Sequence, residues 1–433
     1  MKRESIAAEI AHPDGFSVSV EHHLAHRYCA GSRLQSLLTE ILDQLPGMRC
    51  GNRLSICMPS YNEGRAIGDT LARYSMLQKS RFGADLDPES FEINVLLNRP
   101  SHRSPIDSEA RNAIERFQAA HPEYAINMAE VTFDFEKTPL MGTVFGILAD
   151  ATLARNVRRK VCDSRKKQLI LRTTGADVSG LNPYFLDRTM EIFARGGIWA
   201  HRSESRLPAG LLKEFPLLHV MQTLAVFLLR RFHGIVVNGP FSYTAEAYCL
   251  SGGFDLSRHI GEEIDLSSRI NALTRQYPGS GRFVCDRVHD LTYDPRRVLH
   301  ALFSGRVLAD RYNKFGEAEV EASVRAAPAW NELCAHSLPA SCQLTEGNLS
   351  REVSAYYRIY LRKALASATD CLDREGIYSR VESIFRRAFR FGGISRFRFL
   401  RSEDIRDHCV EIDDISNLLQ QMENRRFPVR LLV

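Results

Sequence analysis

The chain has 433 residues, of which 44% are hydrophobic and 25% are charged. This composition is typical of an ordinary globular protein and excludes the collagen-like, low-complexity and intrinsically disordered classes. The formal net charge of +5 comes from 57 basic and 52 acidic residues. So small an excess over so long a chain does not require a nucleic-acid partner, and we expect none.

The cysteines and the apolar segments indicate a protein of the reducing cytoplasm. Ten cysteines occur without a CxxC pair or zinc-ligand spacing, which is typical of buried thiols. Residues 1–15 begin with basic residues, but polar residues interrupt their apolar run, so we expect no signal peptide. The most apolar segment, 217–229, is shorter than the ~20 residues of a membrane span and predicts a buried or interfacial helix.

The length predicts two or three domains, and changes in periodicity divide the chain. Residues 34–45 carry apolar side chains at helical spacing ahead of Pro46 and Gly47, which predicts an N-terminal helical extension over 1–50. The strands predicted next lie at 54–58, 91–98, 124–133 and 168–173, and the helices that alternate with them lie at 67–74, 110–120 and 142–154.

Strands that alternate with helices indicate a mixed, mostly parallel sheet flanked by helices. Ligands of such sheets bind beyond the carboxyl ends of the strands, so the loops after Met58, Asn98 and Thr174 form the candidate site. The sheet and its helices fill residues 51–300. From 301 to 433 the periodicity is helical, which predicts a helical C-terminal appendage.

Four segments resemble, in their order, the motifs of glycosyltransferase family 2. They are MPSYNEGRAIGDTL, TTGADVSGLNPYFLDRTM, YCLSGGFDLSRHIGEEIDLSSRI and RVHDLTYDPRRV, which together cover about residues 53–298. The resemblance implies a Rossmann-like α/β fold of the GT-A type. It also implies an inverting, metal-assisted transfer of a sugar, such as a hexose, from a nucleotide-sugar donor to an acceptor hydroxyl.

The resemblance assigns the nucleotide of a UDP-, GDP- or dTDP-sugar to the loops after the first two strands. Pro59, Tyr61 and Glu63 lie in the first loop, where the tyrosine ring can stack on a base and the glutamate can bind ribose hydroxyls. Asn98 stands where the family usually has an aspartate, and its amide can both donate and accept hydrogen bonds. It is either a nucleotide contact or the start of a turn at Asn-Arg-Pro.

The usual metal motif of the family, Asp-x-Asp, is reduced here to Gly175-Ala176-Asp177. A manganese or magnesium ion that bridges a sugar-nucleotide diphosphate prefers hard oxygen ligands, so Asp177 is the expected ligand. The alternative is that Asp177 only precedes a helix as a cap. By the same resemblance, His289 is expected to be a further metal ligand, and Arg296 or Arg297 is expected to bind the diphosphate. The alternative is that His289 is an ordinary surface or hydrogen-bonded histidine.

The pair Glu262 and Glu263 stands where the family has Glu-Asp, whose second acid is the general base. A carboxylate at this junction of loop and helix can accept the proton of the attacking hydroxyl. Glu263 is therefore the expected base, and Glu262 is expected to orient the acceptor. The alternative is an acidic helix start that is favoured by the helix dipole alone.

The acceptor is expected to be a saccharide, a lipid-linked glycan or a natural product. Residues 384–401 alternate phenylalanine with arginine, and the favoured interpretation is packing of the phenylalanines on the core with arginine outside. The alternatives are peripheral contact with the inner face of a membrane, binding of an acceptor phosphate, or binding of nucleic acid. Two other functions remain open. The loss of an acid at Gly175 suits an impaired sugar-nucleotide-binding protein, whereas a sugar-phosphate nucleotidyltransferase would need a lysine that MPSYNEG lacks.

Overall fold

A computed structural model of the chain describes residues 15–99, 107–133, 141–159, 168–233, 240–258, 261–305, 307–308, 340–366, 373–391, 394 and 396–423. They form two compact units. The first unit comprises the described parts of Met1–Ser205 and Asn238–Tyr293, and the second those of Arg206–Val237 and Asp294–Val433. The predicted division at 50 and 300 stays a prediction.

The first unit is a mixed α/β layer structure, which confirms the predicted fold class. Its helices are α1 (Gly15–Arg27), α2 (Arg33–Gln44), α3 (Ala66–Tyr74), α4 (Ser108–Ala120), α5 (Met141–Arg158), α6 (Phe185–Ala194), α9 (Ala245–Leu250) and α10 (Glu262–Gln276). Its strands are β1 (Leu54–Ser60), β2 (Phe91–Arg99), β3 (Ala125–Thr132), β4 (Ile170–Thr173), β5 (Val178–Leu181), β6 (Ile198–Arg206), β7 (Phe241–Thr244) and β8 (Arg282–Tyr293).

The eight strands form one sheet in the order β3-β2-β1-β4-β7-β6-β8-β5. Strands β3, β2, β1 and β4 run parallel, as the alternation of strands and helices predicts. Beyond β4 the direction changes, because β7 pairs antiparallel with β4 on one side and with β6 on the other. The carboxyl ends of the four parallel strands therefore meet at one edge, where the candidate site lies.

Two apolar layers sandwich the sheet and hold it in place. One contains side chains of α2 and α5 with Leu171 and Tyr243, and the other contains side chains of α3 and α6 with Ile56 and Ile170. Leu171 and Ile170 are neighbours in β4, so they point to opposite faces of the pleated strand. Strands β1 and β2 are buried along most of their lengths, as is usual for parallel strands covered on both sides.

The second unit contains the helices α7 (Ala209–Glu214), α8 (Pro216–His233), α11 (Arg296–Phe303), α12 (Glu346–Ala366), α13 (Arg374–Phe391) and α14 (Ile415–Glu423). The helical prediction for this region is incomplete, because β9 (Phe397–Leu400) and β10 (Cys409–Ile412) form an antiparallel hairpin. The apolar segment 217–229 does form a helix, α8. No helix among the described residues is long and apolar enough to cross a membrane.

The alternating segment near residue 397 packs in the way that the favoured interpretation predicts. In β9, Phe397 and Phe399 are half-buried and contact Phe389 of α13, with ring centroids 4.5 and 6.0 Å apart. Arg398 is exposed and pairs with Glu411 of β10. The phenylalanines thus face the helices, and the arginine stays at the surface. Residues 392, 393 and 395 of the segment lie outside the described residues.

Candidate active site

The loop after β1 lies at the edge of the sheet, because β1 extends beyond the neighbouring strand β4. Cys57 pairs with Thr173, the last residue of β4, so β1 continues three residues further than its neighbour. Pro59 lies in this extension, where its missing N–H costs no ladder bond to β4. Tyr61 and Glu63 follow, both half-buried. These candidate nucleotide contacts therefore lie together just beyond the strand end.

Asn98 joins the ends of β1 and β2. Its side-chain amide donates a hydrogen bond of 2.9 Å to the backbone oxygen of Ser60. This bond uses one of the two amide N–H groups and leaves the side-chain oxygen as a potential acceptor for a ligand donor. Asn98 is thus adjacent to the loop of Tyr61, as the predicted nucleotide site requires, and it has a structural role there as well.

Asp177 lies in the loop between β4 and β5, and two hydrogen bonds with α3 hold this loop in place. Thr70 of α3 donates to the backbone oxygen of Ala176 at 2.7 Å. Tyr74 of α3 and Thr174 of the loop join their hydroxyls at 2.9 Å. A Cβ atom at Gly175 would lie 2.5 Å from Oδ1 of Asp177, so the carboxylate folds back over the glycine. Any larger residue at position 175 would require that carboxylate to turn away.

Glu263 lies in the first turn of α10 and reaches the end of β4. The hydroxyl of Thr173 donates to Oε1 of Glu263 at 2.9 Å. Oε2 of the same carboxylate lies 3.7 Å from Nη2 of Arg202, and the glutamate side chain is 27% exposed. The structure therefore places the partly exposed Glu263 carboxylate beside Thr173, the last residue of β4. Thr173 precedes Asp177 by four residues.

Glu262 and Asp265 share the first turn of α10 with Glu263, where the helix dipole favours negative charge. Asp265 is held by Arg269, whose Nε and Nη2 lie 2.9 and 2.7 Å from its Oδ2. Gly261 starts the helix with a φ of 71°, a left-handed conformation that glycine adopts without strain. Asp265 thus stabilises the helix start, while the two glutamates remain candidates for acceptor chemistry.

The glycine turn before α10 is anchored by the N-terminal helix α1. Arg27 of α1 donates to the backbone oxygens of Gly252, at 2.7 Å, and of Phe254. A Cβ atom at Gly253 would lie 2.8 Å from Nη1 of Arg27, so only glycine fits this close approach. The same arginine pairs with buried Asp150 of α5 at 2.9 Å. The predicted N-terminal extension therefore supports the loop that leads to Glu263.

The opposite face of the sheet carries a separate polar cluster under α6. Arg188 of α6 pairs with Asp286 and Asp290 of β8, and His201 of β6 lies 2.8 Å from Asp286. Burial would raise the pKa of Asp286, but the hydrogen bond from His201 and the charges of His201 and Arg188 hold it below its usual value. This cluster links α6 to the sheet and contains no residue that the sequence assigns to catalysis.

The structure separates the two predicted metal ligands. Tyr293 of β8 pairs with Val178, which follows Asp177, whereas His289 lies four residues back along β8. Four residues of strand correspond to about 13 Å. In the part of the chain that the structure describes, no three His, Cys, Asp or Glu side chains converge as a metal site. The role of Asp177 as a metal ligand therefore stays a prediction.

Arg296 begins α11 in the second unit. Its Nε lies 3.1 Å from Oδ1 of Asp294, and its backbone N–H donates to the same oxygen at 2.8 Å. The side chain is thus engaged with its own helix start. Its role towards a diphosphate stays a prediction.

Sequence reasoning missed three residues at this site, namely Thr173, Arg202 and Arg27. Thr173 and Arg202 belong to strands that are not consecutive, and cross-strand pairing alone places them near Glu263. Arg27 lies more than 220 residues before the turn that it binds. One signal was available in the sequence. Arg202 and Glu204 alternate in β6 after an apolar start at residues 198–200, and charged residues within a strand of this kind are rarely buried without a partner or a ligand.

No protein-family model matches the chain, and no curated protein matches it either. Among solved structures, it is similar to a mannosyltransferase from Pyrobaculum calidifontis in complex with GDP-Man and Mn2+, with 13% identity, 85% of this chain and 92% of that chain covered, and a TM-score of 0.36. It is also similar to glucosyl-3-phosphoglycerate synthase from Mycobacterium tuberculosis in complex with Mn2+, UDP and phosphoglyceric acid, with 14% identity, 70% and 86% covered, and a TM-score of 0.34.

Proposed function

We propose that the chain is a glycosyltransferase that moves a sugar from a nucleotide-sugar donor to an acceptor hydroxyl. The observation that supports this most is the hydrogen bond from Thr173, the last residue of β4, to the carboxylate of Glu263. Asp177 follows Thr173 by only four residues. Ligands of parallel sheets bind at this edge. A base for the acceptor and a ligand for a diphosphate-bound metal thus occur at the same strand end.

Glu263 acts as the general base in this proposal. Its Oε1 accepts the Thr173 hydrogen bond, which fixes the carboxylate, and its partial exposure leaves room for an acceptor hydroxyl. A carboxylate within hydrogen-bond reach of that hydroxyl can remove its proton as the oxygen attacks the sugar. Glu262 orients the acceptor. One base and one displacement give inversion at the anomeric carbon.

The donor occupies the loops around Pro59, Tyr61, Glu63 and Asn98, with its diphosphate towards Asp177. Magnesium and manganese are commonly held by one or two carboxylates together with substrate phosphates and water, so a single aspartate fits such a site. When bound, the ion would offset the charge on the departing nucleoside diphosphate. His289 is not part of the proposed metal site, because it lies too far along β8.

A second candidate function is binding of a sugar nucleotide without transfer. The specific observation in its favour is Gly175, which removes one acid of the usual metal motif and is covered by the Asp177 carboxylate. Transfer and binding differ in whether free nucleotide is released, so the two functions are separated by one assay.

We expect Asp177→Ala to abolish metal-dependent transfer and to leave folding intact, because Asp177 is a half-buried loop residue outside the apolar layers. The loss should correspond to several kcal/mol of transition-state stabilisation. The measurement is nucleotide release from UDP-, GDP- and dTDP-sugars with manganese and a mixture of hydroxyl acceptors, alongside thermal shifts with each nucleotide. Ligand binding to the native state raises the melting temperature by mass action.

The matched control is Asp43→Ala, which removes an exposed carboxylate from α2 of the same unit. Full activity of the Asp177 variant would contradict the metal role. Thermal shifts with nucleotides but no nucleotide release from the wild-type protein would favour the binding function.

A further inference from the structure

Arg202 of β6 is fully buried, yet its guanidinium is not satisfied by the surrounding protein. None of its three nitrogens has a hydrogen-bond partner among the residues that the structure describes. A guanidinium carries five N–H donors in a planar fork. Buried polar groups in folded proteins are nearly always hydrogen-bonded, to protein or to another species. The donors of Arg202 therefore indicate that a further species binds there.

The charges near Arg202 favour an anion over water alone. Its nearest acid is Glu263, whose Oε2 lies 3.7 Å from Nη2, an ion-pair distance that is too long for a hydrogen bond. Burial lowers the pKa of Arg202, Glu263 offsets this effect only in part, and the nearby charge of Arg172 adds to the lowering. The Phe241 ring, whose centroid lies 4.7 Å from the guanidinium carbon, contacts the flat face of the group and gives its buried N–H groups no hydrogen-bond acceptor.

The strand pairing places this arginine beside the proposed base. Thr173 of β4 pairs with Phe241 of β7, and Phe241 pairs with Arg202 of β6. The three residues form one row across the sheet, in which the outer two are about 10 Å apart. Thr173 holds Glu263 from one end of the row, and Arg202 faces the same carboxylate from the other end.

We infer that Arg202 binds an anionic group of the acceptor, a carboxylate or a phosphate ester carried close to the reacting hydroxyl. This inference rests on the proposed function, in which Glu263 removes the proton of that hydroxyl. Because Glu263 and Arg202 are 3.7 Å apart, the anion and the hydroxyl belong to the same or neighbouring carbons. The acceptor class is thus a small hydroxy acid or a polyol phosphate. Arginine suits both groups, since its fork binds two of their oxygens at once.

Arg172 of β4 provides an instructive contrast. It is also fully buried, and two of its nitrogens have no partner in the described residues. Its Nη2 donates to Tyr74 at 3.1 Å, however, and its guanidinium lies 4.4 Å from the centroid of the Phe185 ring. Arg172 pairs with Ser242, next to Phe241, so it points to the opposite face of the sheet. It therefore does not share the face of Glu263.

The test uses inorganic phosphate and malonate as probes for the two kinds of anion, without metal so that the diphosphate site does not respond. Calorimetric titration of the wild-type protein should detect binding of at least one probe. Arg202→Met should weaken that binding about 10- to 100-fold, because it removes charge-assisted hydrogen bonds. The control Arg195→Met, at an exposed arginine of the same unit, should bind as the wild-type protein does. Preference for phosphate or malonate separates the two acceptor chemistries.

Absence of binding to the wild-type protein, or equal binding to Arg202→Met, would overturn the inference and would indicate that water meets the donors. Should Arg202→Met fail to fold, Arg202→Lys keeps the charge and loses the fork, and we expect about tenfold weaker binding. Unchanged binding by that variant would also count against the inference.

Nucleotide binding separates this inference from the proposed function. Thermal shifts with UDP and GDP plus manganese should be equal in the wild-type protein and Arg202→Met, because Arg202 binds the acceptor side. If nucleotides bind and are released from sugars but neither anion binds, only the inference fails. If an anion binds at Arg202 but no nucleotide does, the proposed function fails, and the acceptor role of Arg202 fails with it.

Discussion

The first unit contains two buried arginine–glutamate pairs that differ in how completely they are hydrogen-bonded. In one pair, Arg155 of α5 meets Glu92 of β2 through two parallel bonds of 3.0 Å. The remaining donors of Arg155 reach Asn94 Oδ1 at 3.1 Å and the backbone oxygen of Pro46 at 2.7 Å. Both side chains of the pair are at least 96% buried. All three nitrogens of Arg155 are thus hydrogen-bonded within the protein, so we call this the closed pair. It joins a helix to the sheet.

The pair of Arg202 and Glu263 has the same residue types, but the hydrogen-bond donors of its arginine are unsatisfied, so we call it the open pair. Arg202 is 1% exposed and Glu263 is 27% exposed, and no hydrogen bond joins them. A closed pair offsets the cost of burial with its own bonds, whereas an open pair retains donors for another molecule. The difference indicates which buried charges stabilise the fold and which belong to a site.

The largest effect is expected from Glu263→Gln, which tests whether the open pair is catalytic. The amide keeps the size of the side chain but cannot accept the proton of the acceptor, so transfer should fall about 100- to 10,000-fold. Donor binding, measured by thermal shift, should be unchanged. Rates of nucleotide release with acceptor give the measurement.

Glu92→Gln is the matched change in the closed pair, and it should lower stability without a comparable loss of rate per folded molecule. Glu262→Gln should act mainly on acceptor affinity. A collapse in rate with Glu262→Gln in place of Glu263→Gln would place the base one position earlier. If neither Gln variant at the start of α10 slows transfer tenfold, neither glutamate there is the base.

The second prediction compares the stability of the two pairs directly. Arg155→Met leaves Glu92 buried and uncompensated, which should lower the free energy of unfolding by about 3–5 kcal/mol. Arg202→Met removes unsatisfied buried donors and leaves a partly exposed glutamate that Thr173 still binds, so stability should stay level or rise. Urea denaturation of each variant measures the difference. Equal losses would show that the open pair also stabilises the fold.

The smallest effect is expected from arginines at the surface of the second unit. Arg398 pairs with Glu411, and Arg401 pairs with Glu375 and Glu382 at 2.8 and 2.7 Å. Exposed pairs of this kind contribute at most about 1 kcal/mol each. Replacing Arg398 and Arg401 by serine should therefore change stability little.

The same double variant tests the interpretation of the segment as a membrane contact. Because the phenylalanines of β9 face α13, we expect no binding of the wild-type protein to anionic vesicles in a sedimentation assay. Vesicle binding that falls by about 1 kcal/mol per arginine removed would instead support peripheral contact. Arg396, which is also exposed, can be added to enlarge that effect.

Local periodicity in the sequence determined most of the first unit. Apolar runs bounded by turn residues located β1, β2, β3 and β4, and helical spacing located α2, α4 and α5, each to within a few residues. The order of these elements was sufficient to infer the parallel part of the sheet and the edge at which Asp177 and Glu263 lie. Such inferences succeed because strand and helix patterns are set by neighbouring residues.

Only the tertiary structure decided which charged residues meet at that edge. Strand β7 lies between β4 and β6 although it follows both in the sequence, and this pairing aligns Thr173 with Arg202. The hairpin of β9 and β10 was missed for a related reason, since its short strands depend on packing against α12 and α13. His289 matches a motif in sequence, but the register of β8 places it away from Asp177. Contacts between distant segments are fixed by the packing of whole layers, which no local pattern records.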